Sequence, residues 1–349
     1  MTPAAPKVSV LVVTYNQERF IEQAVRSALF QQAHFDYEII VGEDSSTDGT
    51  RAVLARLDAA FPGRLRLLLR ERNLGPARNF QDAYAECRGE YVALLDGDDY
   101  WTDPAKLRKQ VAVLDADPGC ALCYHPTRYI GDDGEPTGYV HPPETTPDRP
   151  TIDDLFRSNL IQTCSAVLRR AAVPELPDWM LATVPGDWPL FLLAADAGRV
   201  RRLDEVMAAY RVHASGSWTK LSAATRVEQT FAMLTTVDRH FHGKYTDQVE
   251  VSRMAVINLL SGQTDHARQE TAAAEQELAA VSQELALSNL ELAVVRQDLA
   301  AVRQELAATA EELAKVSSAR SLRLARAVSA APGRAVEWLR RASRPGSGC

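Results

Sequence analysis

Apolar residues gather in short unbroken runs along the first part of the chain: Val8 to Val13, Tyr37 to Gly42, Leu65 to Leu69 and Tyr91 to Leu95. Runs of this length, bounded by polar residues, predict strands buried on both faces. Between them the apolar positions take helical spacing. Phe20, Ile21, Ala24, Val25, Ala28 and Leu29 predict an amphipathic helix over 17–32. Thr47 or Asp48 would cap a second over 50–60, and Pro76 opens a third that runs to about Cys87. Strand–helix alternation of this kind predicts an α/β fold with a mostly parallel sheet and right-handed crossovers. Further on, the pattern predicts a helix over 104–117, a strand over 120–130, a long Pro/Gly/Asp-rich loop over 131–150 and a short helix from Ile152. A strand over 164–168, a helix after Asp187 with Pro189 in its first turn, and strands near 200–203 and 206–212 follow.

From about residue 264 the period changes to seven. Leu278, Leu285, Leu292, Leu299, Leu306 and Leu313 recur with Val281, Val295, Val302 and Val316 three residues behind, and Ser288 and Thr309 fill the gaps. This is an a/d seam, and a sustained period of seven predicts a left-handed coiled coil of roughly 50 Å. The alternative is a single exposed helix, or one folded back on the preceding domain. The chain therefore divides into a domain over 1–262, a coiled coil over 263–318 and a basic tail over 319–349. The domain itself reads as a nucleotide half over about 7–100, a second half over about 101–218 and a helical end over 219–262. Residues 264–318 carry ten acidic and four basic groups, and residues 319–349 carry seven Arg and one Glu. Trp338 and several apolar residues among those arginines suit a membrane surface, though Pro332-Gly333 and the turn-rich end suit a solvated tail equally.

Composition narrows the field. A hydrophobic content of 46% and a formal charge of −7 describe a globular chain with no footprint for nucleic acid. Five cysteines show no disulfide pattern, which favours a reducing compartment, and Cys120 and Cys123 read as buried thiols in an apolar strand. There is no secretory signal and no window of ~20 apolar residues. These features predict a cytoplasmic protein, with the tail as a peripheral contact at the inner face of a membrane.

The chemistry lies at the ends of the strands. Asp96, Asp98 and Asp99 follow the fourth strand at once, with Gly97 allowing a tight turn. Open α/β sheets bind ligands at the carboxyl ends of their strands. Three crowded carboxylates call for compensation, and Mg²⁺ or Mn²⁺ supplies it while leaving positions for phosphate oxygens. Neither a Gly-x-Gly-x-x-Gly after the first strand nor a P-loop is present.

Thr14-Tyr15-Asn16, Glu43 to Gly49, Arg72-Asn73-Leu74-Gly75 and Leu95 to Trp101 stand in this order in the chain. Together they resemble family 2 of the inverting nucleotide-sugar glycosyltransferases, with the GT-A fold, over about residues 7–218. The resemblance implies a metal-dependent enzyme that moves one sugar from a nucleotide-diphospho-sugar, a UDP-sugar first, to an acceptor hydroxyl. It places Thr14, Tyr15, Asn16 and Ser46 along the nucleotide pocket and Asp44 against the base. Asp44 would otherwise be a turn residue leading into a helix. Asp96 and Asp98 become the DXD pair on metal and diphosphate, with Gly97 between them and Asp99 beside them. Arg78 either reaches phosphate or is a solvated helical arginine. Asp187 matches the family's catalytic base, a role compatible with a helix start. His213, in Arg211 to Trp218, either completes the metal site or sits on a surface loop. Trp101, Trp188 and Trp218 fall near these segments, as sugar-stacking or core residues, and Tyr210 reads as core. The Gln-x-x-Arg-Trp segment of processive members is absent, which implies one transfer per encounter. A sugar nucleotidyltransferase would need a basic triphosphate loop after the first strand. An assembly protein with a lapsed catalytic domain is the remaining alternative. The heptads add a homo-oligomer through 278–316.

Overall fold

The computed structural model describes residues 5–330 except 185 and 217. The chain divides into two compact units, 1–263 and 264–349. In the first, β1 (Val8–Thr14), α1 (Ile21–Leu29), β2 (Tyr37–Glu43), α2 (Thr50–Ala60), β3 (Leu65–Leu69), α3 (Pro76–Ala85) and β4 (Tyr91–Asp96) alternate as the apolar pattern predicts. Then come β5 (Tyr100–Trp101), α4 (Lys106–Ala116), β6 (Cys120–Tyr124), β7 (Thr127–Ile130), β8 (Pro136–His141) and α5 (Ile152–Arg157). The unit continues with β9 (Val167–Arg169), α6 (Asp187–Ala197), β10 (Arg199–Arg202), β11 (Ala208–Arg211) and α7 (Ala223–His240). The last helix, α8 (Thr246–Ala330), begins in this unit.

Seven strands form the main sheet in the order β10-β6-β9-β4-β1-β2-β3, parallel throughout except β9. Strand alternation sends side chains to two cores. Val8, Val10, Val12, Ile39, Val41, Ala93 and Leu95 pack with Ile21, Val25, Leu54, Leu57, Leu107 and Val111 of α1, α2 and α4. Leu11, Ile40, Val92 and Leu94 face the other way, against Tyr84, Phe156, Phe191 and Leu234 of α3, α5, α6 and α7. Both faces are covered, so the strands read as continuous apolar runs. Truncating such a leucine to alanine costs about 2–5 kcal/mol.

The second half departs from the pattern in two places. The apolar run 120–130 is two strands in different sheets, since β6 joins the main sheet and β7 a second, four-stranded one of order β5-β11-β7-β8. The break falls at His125-Pro126, where proline has no N–H to continue a ladder. Residues 131–150 are not all loop. The chain turns at Gly131–Glu135, with Gly134 at φ +88°, and returns as β8 antiparallel to β7. Prolines and glycines in that stretch conceal the alternation of Thr137, Tyr139 and His141.

Cys87, Cys120, Cys123 and Cys164 are buried free thiols. Burial pushes the Cys123 thiol up to about 12, which suits an inert core residue better than a metal ligand. In the second unit the described residues are helical to Ala330. Leu285, Leu292, Leu299, Leu306 and Leu313 are 50–69% exposed along it. The last part of the basic tail, with Arg334, Trp338, Arg340, Arg341 and Arg344, lies outside the described residues. Among those described, no helix is long and apolar enough to cross a membrane.

Candidate active site

The carboxyl ends of β1, β2 and β4 meet at one edge of the main sheet. Their closeness is set by Gly97, whose N–H donates to Val13 O at 2.9 Å. A Cβ there would stand 2.4 Å from Gln17 Oε1 and 2.8 Å from Thr14 Oγ1, so only glycine lets the two strand ends approach this closely. The β1 and β2 loops are laced together. Asn16 and Ser45 both adopt positive φ, +53° and +59°. Asn16 N–H donates to Ser46 Oγ at 2.9 Å, and Asn16 Oδ1 accepts from Thr47 N at 2.8 Å. Thr14 is buried beneath this lacing, and Tyr15 is exposed. Asp44 is buried, and its two oxygens accept from Leu74 N at 2.7 Å and Gly75 N at 2.9 Å, holding the 72–75 loop against the sheet. Asp48 Oδ1 accepts from Thr50 N at the start of α2, whose capping position itself is Gly49. Arg78 pairs with Asp82 one turn along its own helix and is half exposed.

Asp96 ends β4, and Asp98 follows in the turn. Asp98 Oδ2 accepts from His213 Nε2 at 2.9 Å, a contact between residues 115 apart in the chain. The imidazole is held on its other side by Ser215 Oγ, 2.8 Å from Nδ1, and its ring stands 5.2 Å from Phe20. Asp99 points the other way. It is buried, and its Oδ1 accepts from Arg211 N at 2.8 Å. It is a peg that ties the end of β11 beneath the site rather than a third carboxylate within it.

Asp187 sits in the first turn of α6, with Gly186 in the capping position. Its Oδ1 accepts from Trp188 N at 2.8 Å, while Asn159 Nδ2 and Thr163 Oγ1 each stand 3.4 Å from its Oδ2. Thr163 also lies near Asp96 and favours its charged form, and Asp187 is close enough for its charge to act on Asp96. Burial raises the carboxyl of Asp187 above the ordinary value. Asp96 is pushed up to about 8, by burial first and then by the charges of Asp98 and Asp187.

Among the described residues no Lys or Arg side chain pairs with Asp96, Asp98 or Asp187; the contact made is that of His213 with Asp98. Arg211, the arginine beside it, donates to Asp98 O, Gly131 O, Asp132 O and Gln23 Oε1, none of them a carboxylate. Among the described residues no three His, Cys, Asp or Glu side chains are placed as a ready metal site. Uncompensated carboxylates with few protein ligands fit a hard divalent cation, which keeps waters or phosphate oxygens in its remaining positions. Asp96, Asp98 and His213 would hold it.

The tryptophans have other partners. Trp101 and Trp188 are buried, and their indole N–H groups donate to Cys164 O and Leu155 O at 2.8 and 2.7 Å. Lys106 Nζ stands 4.2 Å from the Trp101 ring centroid. Both are core residues behind the site, and Trp218 is partly buried in the turn after His213. Tyr210, read as core, is partly buried against the core and also feels the charges of the site. The carboxylates Asp99, Asp98 and Asp96 add to burial in pushing its phenol up. Asn159, Thr163 and Arg211 were missed as well. Each is a common residue in an irregular or edge segment, and only the sheet topology brings them to Asp187 and Asp98.

Comparison with known proteins agrees with this geometry. The sequence matches the family described as glycosyl transferase family 2 over residues 9–174. It is 40% identical over 211 residues to an uncharacterized protein of Mycobacterium tuberculosis, covering 60% of each chain. It is 32% identical over 177 residues to a putative teichuronic acid biosynthesis glycosyltransferase, TuaG, of Bacillus subtilis, covering 50% of this chain and 67% of that protein. The chain thus spans about 60% of the length of the mycobacterial relative. Among solved structures, a mannosyltransferase of Pyrobaculum calidifontis in complex with GDP-Man and Mn²⁺ superposes with a TM-score of 0.54. It is 19% identical, over 78% of this chain and 81% of that one. S. aureus TarS in complex with UDP-GlcNAc superposes with a TM-score of 0.52 at 20% identity, over 66% of each chain. The family match and the relatives agree: this chain belongs to glycosyl transferase family 2.

Proposed function

We propose that the protein is an inverting glycosyltransferase that moves one sugar from a nucleotide-diphospho-sugar to an acceptor hydroxyl. The observation that carries this reading is the contact of Asp98 with His213 beside Asp96, with Asp187 near enough for its charge to act on Asp96. The nucleotide would lie along Thr14 to Asn16 and Ser46. Asp44 serves it indirectly, by holding the 72–75 loop. The diphosphate would lie against Asp96, Gly97 and Asp98. Mg²⁺ or Mn²⁺, bound by Asp96 and Asp98 with His213, would neutralise the charge that grows on the leaving diphosphate.

The acceptor oxygen forms the new bond at the anomeric carbon from the face opposite the diphosphate. The anomeric C–O bond to phosphate breaks, and its electron pair leaves with the diphosphate. Asp187 takes the acceptor proton, and Asn159 and Thr163 hold its Oδ2 in place. A burial-raised carboxyl is a stronger base, and such proton transfer contributes about 100- to 10,000-fold. UDP is the first choice of nucleotide. The fold neighbours holding UDP-GlcNAc and GDP-Man support the donor class, and the name of TuaG supports a cell-surface glycan or lipid-linked saccharide as acceptor.

The helix supports self-association through 278–316. With Leu at a, the g positions Glu284, Glu291, Asp298, Glu305 and Glu312 are all acidic, and Arg296 and Arg303 stand at e. A parallel pair joins Glu291 to Arg296 and Asp298 to Arg303, whereas an antiparallel pair sets acid against acid. We place the protein in the cytoplasm, with the basic tail at the inner membrane face. Thermal shift with UDP-, GDP- and dTDP-sugars, with and without Mn²⁺, tests the donor reading. Stabilisation by one nucleotide class that needs Mn²⁺ is expected, and no response to any donor would overturn it.

A further inference from the structure

The four-stranded sheet carries a stripe of aromatic rings on one face. Tyr210 of β11 lies in register with Tyr129 of β7, and their ring centroids are 4.8 Å apart. Tyr129 meets Tyr139 of β8 edge-on at 4.8 Å, and His141 stands 6.3 Å from both. The stripe begins among the aspartates and ends in solvent. At the inner end, the Tyr210 phenol feels Asp99, Asp98 and Asp96. At the outer end, Tyr139 is 52% exposed.

The stripe is tied to Asp187 at two points. Gln162 hydrogen-bonds the Tyr129 hydroxyl, one residue from Thr163, whose hydroxyl stands 3.4 Å from Asp187 Oδ2. His141 Nε2 donates to Asn159 O at 2.9 Å, and Asn159 Nδ2 reaches Asp187 Oδ2 at 3.4 Å. These bonds fix the rings relative to the proposed base. Core packing does not account for Tyr139, since an exposed strand position needs no aromatic ring. Nor do the hydrogen bonds, because no hydrogen bond to the Tyr139 hydroxyl is found among the described residues.

We propose that Tyr210, Tyr129 and Tyr139 form the acceptor track, with the exposed ring of Tyr139 stacking on a pyranose ring of the acceptor saccharide. The proposal rests on the glycosyltransferase reading and names the class of its second substrate. A pyranose presents an apolar C–H face and a rim of hydroxyls. Aromatic faces suit the first, and the Gln162 amide, the His141 ring and the Thr137 hydroxyl, which all border the stripe, suit the second. Each of these groups bonds within the protein and keeps further donor or acceptor capacity, which an isoprenoid or acyl chain could not use. The fit is therefore to sugar, and to one at least two rings long, because the stripe reaches past the residues that serve Asp187.

Saturation-transfer NMR with methyl pyranosides of glucose, galactose, mannose, rhamnose and N-acetylglucosamine tests the track without knowledge of the true acceptor. Farnesyl phosphate in the same buffer is the lipid control. At least one pyranoside should give saturation transfer to its ring C–H protons. In Tyr139→Ala this signal should fall at least fivefold, and in Tyr139→Phe it should stay within twofold. Far-UV circular dichroism and the melting temperature should match wild type in both variants. A pyranoside signal unchanged by Tyr139→Ala, no signal from any pyranoside, or transfer to the farnesyl chain alone would overturn the proposal. A wild-type chain that binds pyranosides through Tyr139 but neither binds nor hydrolyses any nucleotide-sugar would keep the track and sink the transferase reading.

Discussion

Leu54, Leu94, Leu122 and Leu190 are at most 1% exposed in the globular unit, while Leu285, Leu292, Leu299, Leu306 and Leu313 of the long helix are 50–69% exposed. The same residue type plays opposite parts. In the first unit the chain covers its own apolar surface, on both faces of one sheet, and leaves its polar side chains crowded at the strand ends. In the second the described leucines of the seam stand exposed. Burial of a leucine contributes about 1.5–3 kcal/mol, so a seam of this length is a large unmet term for one helix. The comparison teaches that the transferase half is complete as a fold and incomplete as a chemical site, whereas the helix is incomplete as a fold. Ligand should finish one, and another copy of the chain the other.

The sharpest way to break the first half of this comparison is at Asp187. Asp187→Asn should keep the fold and donor binding and lose transfer by about 100- to 10,000-fold. Mn²⁺-dependent thermal shift with donor and a transfer assay measure the two separately. Full transfer by the variant would put the base elsewhere. Asp98→Ala comes next. It removes the partner of His213 and should abolish the Mn²⁺-dependent part of donor binding while leaving the oligomer mass unchanged. Donor titration by calorimetry with and without Mn²⁺ would show this, and identical isotherms for variant and wild type would remove Asp98 from the metal site.

Leu292→Lys combined with Leu299→Lys acts on the other half. Two charged side chains in adjacent a layers should convert the oligomer to monomer, read by light scattering on the full chain. Donor hydrolysis per site should stay within twofold. If the wild type is itself monomeric at tens of micromolar, the seam has a different occupant. Arg296→Glu with Arg303→Glu should weaken a parallel pair and leave an antiparallel one as it was, because only the parallel one sets e against g.

How much of this could be read from residues alone follows the same division. The apolar runs of β1 to β4 and the helices between them were legible, because each run is short, unbroken and ended by polar residues. Asp96, Asp98, His213 and Asp187 were legible as candidates from motif order, but not the contact of Asp98 with His213. That contact depends on β11 pairing with β5 and β7, and strand pairing over such a separation leaves no local trace. The tryptophans misled for a related reason. Trp101 and Trp188 lie beside site motifs in sequence, yet their indoles complete buried hydrogen bonds to backbone carbonyls. The Tyr139 strand was hidden by Pro136, Gly138 and Pro142, which read as loop although Pro136 opens that short exposed strand, Gly138 lies within it and Pro142 follows it. Asp44 was legible as a site residue but not as an anchor, since its acceptors turn to backbone N–H groups thirty residues away.

The smallest effect is a dependence on pH that separates the two halves in one experiment. Burial, then Asp98 and Asp187, push the Asp96 carboxyl up to about 8, against about 3.9 for an unfolded chain. With the folded value the higher one, the stabilising contribution of the neutral carboxyl is complete below pH ~4 and is lost as pH rises through 8. The metal-free globular unit should therefore melt at a lower temperature at pH 8 than at pH 5.5, by a few degrees. Asp96→Asn cannot ionise, and it should flatten that slope. Cation binding requires the charged carboxylate, so the rise in melting temperature given by Mn²⁺ should be larger at pH 8 than at pH 5.5 in wild type and absent in Asp96→Asn. The helix carboxylates from Glu284 to Glu312 are exposed. Helix melting, followed at 222 nm in the chain with its donor site saturated, should move with ionic strength through the e and g charges instead. A slope that Asp96→Asn leaves intact would mean that the carboxylates at the strand ends are already relieved by a group other than a bound cation.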